Sequence, residues 1–158
     1  MKILVIGGRG TIGRRIVEHF KNGNEVIVAG RTAPKYKVNI ADSKTSKKPF
    51  KKTRKVDAII CAAGEAKSAP FKDLSEEDFH IGLRSKLMGQ VNVVRIGRKY
   101  MRKNGSITLT TGILADDPVN KTHSAAMVHD SVHICVQAVA REINRGMRAN
   151  VVYSRRDK

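Results

Sequence analysis

Residues 2–20, KILVIGGRGTIGRRIVEHF, constrain what this chain can fold into more than any other stretch. Lys2–Ile6 is a short run rich in Ile, Leu and Val, the composition of a strand buried on both faces. From Thr11 onward Ile12, Ile16, Val17 and Phe20 recur at helical spacing. Between the two runs lie Gly7, Gly8, Gly10 and Gly13, so a strand enters a helix through a turn where a phosphate can reach the backbone. The spacing is GxxGxxG, and no Lys followed by Ser or Thr closes the loop, which disfavours a P-loop for nucleoside triphosphates. A dinucleotide-binding turn is the expectation, with Gly7, Arg9 and Gly10 in the turn and Thr11, Ile12 and Gly13 opening the helix. A bare glycine-rich connection is the plain alternative.

The chain continues in the same alternation. Glu25–Ala29 (EVIVA) reads as a second strand ending at Gly30 and Arg31. In dinucleotide folds this strand end meets the adenosine ribose, where an acidic residue suits a free 2′-hydroxyl and an Arg suits a 2′-phosphate. Arg31, seconded by Arg9, therefore predicts NADPH over NADH. Residues 37–40 (KVNI) are read as a short third strand bearing Asn39, and Asp42 as a helix cap. The segment 43–55 should cross to the fourth strand, yet Phe50 is its only large apolar residue and Pro49 stands mid-run. An irregular, poorly anchored basic segment is expected there.

Val56–Cys61 (VDAIIC) is the fourth strand, and Ala62, Ala63 and Gly64 after it leave room for a ligand. Ser75 with Asp78 resembles a capping box, which predicts a helix from Glu76 to about residue 102 with a break. A fifth strand is expected at 106–110, a loop at 111–123, a second long helix at 124–143 and a sixth strand at 147–153. Six strands alternating with helical patterns specify one α/β domain over 1–158: a doubly wound parallel sheet of order 3-2-1-4-5-6 with helices on both faces.

Composition bounds the rest. Thirty-one Lys and Arg against fourteen Asp and Glu give a formal charge of +17, which favours polyanions of any kind. Three Tyr, four Phe and no Trp, with no zinc-finger or RNP-type motif, leave sequence-specific nucleic-acid readout without its usual parts. Nonspecific polyanion binding is the expected result. No apolar run approaches the roughly eighteen residues of a membrane span, and Met1 leads directly into a strand, so a cytoplasmic protein with no membrane partner is expected. Cys61 and Cys135 show no metal-ligand spacing and read as reduced core thiols.

Several of these stretches resemble those of the short-chain dehydrogenase/reductase family: GGRGTIG at the turn, AGR after the second strand, CAAG where the family commonly has NNAG, LMG in the central helix, GSITLT before the active-site loop and RANVV near the end. More narrowly, the chain resembles a short, divergent bacterial branch that lacks the usual active-site residues. The resemblance implies a Rossmann sheet, an NADP cofactor and a nominal oxidoreductase. It also implies where hydride chemistry would reside. The family's Tyr position falls on Ala125, its Lys on His129, its Asn on Lys86 and its Ser on Gly112 beside Thr111, so all four members are replaced. Thr111, His129 and Lys86 are the remaining catalytic candidates, and weak or no standard carbonyl reductase activity is expected on an unknown small molecule. The segment 153–158 (YSRRDK) stands where the family turns toward a seventh strand, which is expected to be missing. Two other readings stay open: a non-enzymatic NADPH-binding sensor or interaction module, and a basic nucleic-acid binder with a vestigial turn. The family often pairs its central helices into homo-oligomers, though Arg95, Arg98, Lys99, Arg102 and Lys103 would place like charges face to face.

Overall fold

The structure, a computed structural model, describes residues 1–114 and 119–154. Five parallel strands run in the order β2-β1-β3-β4-β5: β1 Lys2–Ile6, β2 Glu25–Ala29, β3 Val56–Cys61, β4 Met101–Gly112 and β5 Arg148–Ser154. They are joined by α1 Thr11–Phe20, α2 Ser43–Thr53, α3 Glu76–Gly82, α4 Met88–Gly97 and α5 His123–Glu142. A π-helical turn, Leu83–Leu87, joins α3 to α4 and supplies the expected break in the long helix. The doubly wound α/β architecture is thus the one read from the strand–helix alternation. Part of the 111–123 loop (115–118) and the basic stretch 155–158 lie outside the described residues.

Alternation along β1 explains why it is central. Leu4 and Ile6 face a large core that draws in Phe50 from α2, Val93 and Ile96 from α4, and Val132 and Val136 from α5. Ile3 and Val5 face a smaller core with Ile16, Val17 and Phe20 of α1. Helices therefore cover both faces, and a strand with no polar inward position can sit only in the middle.

Three expectations fail locally. The segment 37–40 is no strand: it contributes a single parallel bridge, Gly30 to Lys37. Val38 and Ile40 are buried all the same, so their apolarity serves packing and not a ladder. The segment 43–55 is not irregular either, because 43–53 forms α2. Asp42 accepts from the Lys44 N–H at 2.8 Å, and the Ser46 hydroxyl donates to the Asp42 carbonyl at 2.9 Å. Phe50 is fully buried and stacks on Tyr100 with ring centroids 5.8 Å apart. One cap and one aromatic anchor outweigh the hydrogen bond that Pro49 removes. The fifth strand of the sequence reading is also longer than expected, starting at Met101, which pairs with Val56.

The carboxyl ends of β1, β2 and β3 lie level, with Ile6 opposite both Ala29 and Cys61. After β2 the chain crosses to the other side of β1. That is the topological switch point, where a crevice opens beyond the strand ends.

Candidate functional site

The crevice floor is built by glycines. Gly7 follows β1 with φ +82°, a backbone conformation that suits glycine, and its N–H donates to the Ala29 carbonyl at 2.8 Å. A Cβ on Gly7 would stand 2.6 Å from the Ala62 carbonyl oxygen, and one on Gly13 would stand 2.0 Å from that of Gly7. Side chains are excluded at both positions, and the chain lies close enough to itself for Gly10 to cap α1 with no side-chain oxygen on the first-turn amides. The first-turn amides have no intrahelical partners and carry the positive end of the helix dipole, directly after the turn that floors the crevice.

The cleft above holds about 340 Å³. Of the expected cofactor residues, Gly7, Arg9, Gly10, Arg31, Asn39, Ala62, Ala63 and Gly64 line it. Thr11 and Ile12 begin α1 as exposed residues beside it, and Gly13 is buried beneath the turn. Arg9 donates to the Thr32 carbonyl at 2.8 Å, which holds it over the loop after β2. Arg31 is engaged by a residue the sequence reading passed over. Both of its terminal nitrogens bind the Glu65 carboxylate, one at 3.2 Å, and the Glu65 N–H donates in turn to the Ser85 hydroxyl at 3.1 Å. Glu65 and Ser85 both line the cleft. An acidic side chain directly after CAAG at a strand end was the one available sign of this contact.

The three catalytic candidates gather beside the cleft, at the carboxyl ends of β3 and β4. Lys86, in the π turn, is buried and donates to the Thr110 carbonyl at 2.7 Å. Gln90, one turn on, donates to the same carbonyl at 2.9 Å and to that of Ala63 at 3.0 Å. Thr111 is buried in the next position of β4. His129 of α5 abuts Gly112, where a Cβ would stand 2.6 Å from its Nδ1. Burial pushes the Lys86 ammonium pKa down. Burial first, and then the Lys86 charge, push His129 down to about 4, so its ring is neutral at pH 7. Burial likewise pushes the Cys61 thiol up to about 11, which keeps it protonated and unreactive. Gln90 Oε1 and the Ser124 hydroxyl, both fully buried, have no hydrogen-bond partner among the described residues. Among those residues no group of three His, Cys, Asp or Glu could hold a metal, and no helix is long and apolar enough to cross a membrane.

A family model described as enoyl-(acyl carrier protein) reductase matches residues 19–155. The chain belongs to the short-chain dehydrogenase/reductase family. The match begins inside α1, so the glycine turn stands on its own geometry. The protein lin1944 from Listeria innocua, known as a crystal structure, is 40% identical; it superposes with a TM-score of 0.94 over 97% of this chain and 76% of its own. A small-chain dehydrogenase crystallised in complex with NADPH is 25% identical, with a TM-score of 0.89 over 97% of this chain and 69% of that one. The short-chain dehydrogenase/reductase from Serratia marcescens BCRC 10948 is 17% identical, with a TM-score of 0.88 over 96% and 72%, and carries the likeness at the level of fold. No curated protein matches significantly. This short-chain dehydrogenase/reductase therefore has the family's oxidoreductase fold, and its glycine cradle occupies the place where the fold receives a dinucleotide.

Proposed function

We propose that the cleft binds an NADP-type dinucleotide, with NADPH preferred over NADH. The observation that carries this reading is the pairing of a side-chain-free cradle at Gly7, Gly10 and Gly13 with two arginines, Arg9 and Arg31, at the far end of the same cleft. The cradle fits a pyrophosphate at a helix N-terminus, and a guanidinium at the end of β2 fits a 2′-phosphate. The relative in complex with NADPH supports the same assignment. Asn39, Ala62, Ala63 and Gly64 would complete the adenosine and ribose contacts. When bound, the cofactor supplies a hydride; this chain's residues would bind and orient it.

The usual proton chemistry is not proposed for this chain. The residue set implied by resemblance puts Ala125, a methyl group, where an acid is needed. His129 is neutral at pH 7 with a pKa near 4, which makes it a poor proton donor. Standard carbonyl reductase activity should be weak or absent. The second reading, an NADPH-binding module that reports to a partner, is favoured by that same feature.

Titration with both cofactors tests the assignment. NADPH should bind, and Arg31→Ala should weaken NADPH by about tenfold or more while changing NADH little. Equal loss for the two cofactors would remove the 2′-phosphate role. Failure of both to bind below about 1 mM would remove the cofactor altogether. Oxidation of NADPH with a panel of activated carbonyls then separates enzyme from sensor, and rates unchanged by Thr111→Val and His129→Gln would take both residues out of the chemistry.

A further inference from the structure

A dense cluster of positive charge lies away from the proposed cofactor cleft. Helix α2 carries Lys44, Lys47, Lys48, Lys51 and Lys52 in eleven residues and no acidic side chain. Like charges three and four apart repel one another along a helix, so α2 is held by its cap and Phe50 against its own electrostatics. Facing it are Arg95 on α4 and Arg98 and Lys99 in the short turn that follows.

Between the two runs lies a groove of about 490 Å³, walled by Lys47 and Lys51 on one side and Arg95, Arg98 and Lys99 on the other, with Ile96 and Tyr100 as its floor. All five cations are exposed. The side-chain ion pairs among the described residues engage Lys2, Arg31, His80, Arg84 and Arg102, and none of the five. The acids nearest in sequence are occupied, Asp42 by the α2 cap and Asp57 by Lys2 and Arg102.

We propose that this groove binds the phosphate backbone of a nucleic acid without reading its sequence. Lys47 and Lys51 stand about 6 Å apart along α2, and Arg95 with Lys99 repeats the interval, close to two nucleotide steps of about 3.4 Å each. The cations thus form two rails along a concave track. A membrane surface is the poorer fit, because the cations wall a concave groove and no exposed apolar side chain stands beside them to insert, Phe50 and Ile96 both being buried. A folded acidic protein would want an exposed aromatic or aliphatic anchor, which the groove also lacks. With Tyr100 half-buried against Phe50, no ring is free to stack on bases, so affinity rests on phosphates alone.

The test is fluorescence anisotropy of the whole protein with a labelled random-sequence strand of about 20 nucleotides and its duplex, between about 50 and 200 mM salt. Wild type should bind with a linear fall of log affinity against log salt. Lys47→Glu/Lys51→Glu and Arg95→Glu/Arg98→Glu should each weaken binding by about tenfold or more and lower the slope by about two. Arg14→Glu/Lys21→Glu, on α1 and at its C-cap and equal in change of net charge, should leave affinity within about threefold. A control as damaging as the groove variants would overturn the proposal, because net charge and not the groove would then be binding. So would absence of binding at the lowest salt, or anionic vesicles competing the strand off as well as unlabelled strand does. Milder Lys47→Gln/Lys51→Gln substitutions, with circular dichroism of each variant, separate lost binding from lost folding.

Discussion

Glu65→Gln should raise the affinity for NADPH. In the structure Glu65 holds both terminal nitrogens of Arg31, so a 2′-phosphate can use that guanidinium only by taking the place of the carboxylate. Two costs vanish with the negative charge. The ion pair is exposed, with side chains 64% and 53% accessible, and an exposed pair is worth about 0.2–1 kcal/mol. The displaced carboxylate would then remain beside a phosphate, and like unit charges about 4 Å apart cost about 1 kcal/mol in water-like surroundings, before screening. Together these give about 1–2 kcal/mol, or a five- to thirtyfold gain. NADH carries no 2′-phosphate and should change by less than about threefold, since only the weak ion pair is at stake. Calorimetric titration of both cofactors at low and high salt reads the effect, and the gain should shrink as salt rises. An unchanged NADPH affinity, or an equal gain for NADH, would refute the competition between carboxylate and phosphate.

Lys86→Met should stabilise the fold by about 1 kcal/mol in chemical denaturation, because a buried ammonium is removed while Gln90 still donates to the Thr110 carbonyl; a loss would show that the ammonium is better paired than these contacts allow. Stability should fall on acidification from about pH 6.5 toward 4. Above 6.5 His129 is neutral in both states, and between the two values only the unfolded chain takes up its proton, at about 1.4 kcal/mol per pH unit. His129→Gln should flatten that window, whereas Asp57, held below its ordinary value of 3.8 first by the Lys2 N–H, acts only at lower pH. Phe50→Ala should cost about 3–5 kcal/mol in denaturant melts if α2 hangs on this ring, and a small loss would return the segment to the loosely held one its composition suggests. Gly13→Ala should destabilise the protein and abolish cofactor binding together, since its methyl would stand 2.0 Å from the Gly7 carbonyl oxygen; normal binding by a soluble variant would contradict the cradle geometry.

The strands β1, β2 and β3 were legible because continuous β-branched runs bounded by glycines leave few other structures open. Residues 37–40 misled for the same reason: apolarity reports burial, and Val38 and Ile40 are buried in a connection without a ladder. Helix α2 was missed because counting apolar residues undervalues one fully buried ring and a well-made cap. At β4, the expected strand began at residue 106, but β4 starts at Met101 and runs through Asn104, whose φ of +63° falls inside the strand, where its pairing with β3 shifts register. In the cleft, glycines and Arg31 follow from local pattern. The Arg31–Glu65 and Lys86–Thr110 contacts span 34 and 24 residues, and beyond the acid that follows CAAG no local pattern carries them.

The π turn at Leu83–Leu87 couples two parts of the molecule. Its consecutive residues Ser85 and Lys86 serve different pockets, one fastening the Glu65 backbone in the cleft and the other the end of β4. A π turn holds one residue more than α-helical winding allows, and each residue is worth about 100° of rotation. Deleting a single residue there would let α-helical winding resume with Met88 onward in nearly the same phase against α3, leaving four side chains on the arc that now carries five. The wider angular step of α winding would then respace Ser85 and Lys86, so the cleft and the end of β4 depend on one turn, and amide exchange at Glu65 and near Thr110 in such a deletion would report which of them gave way.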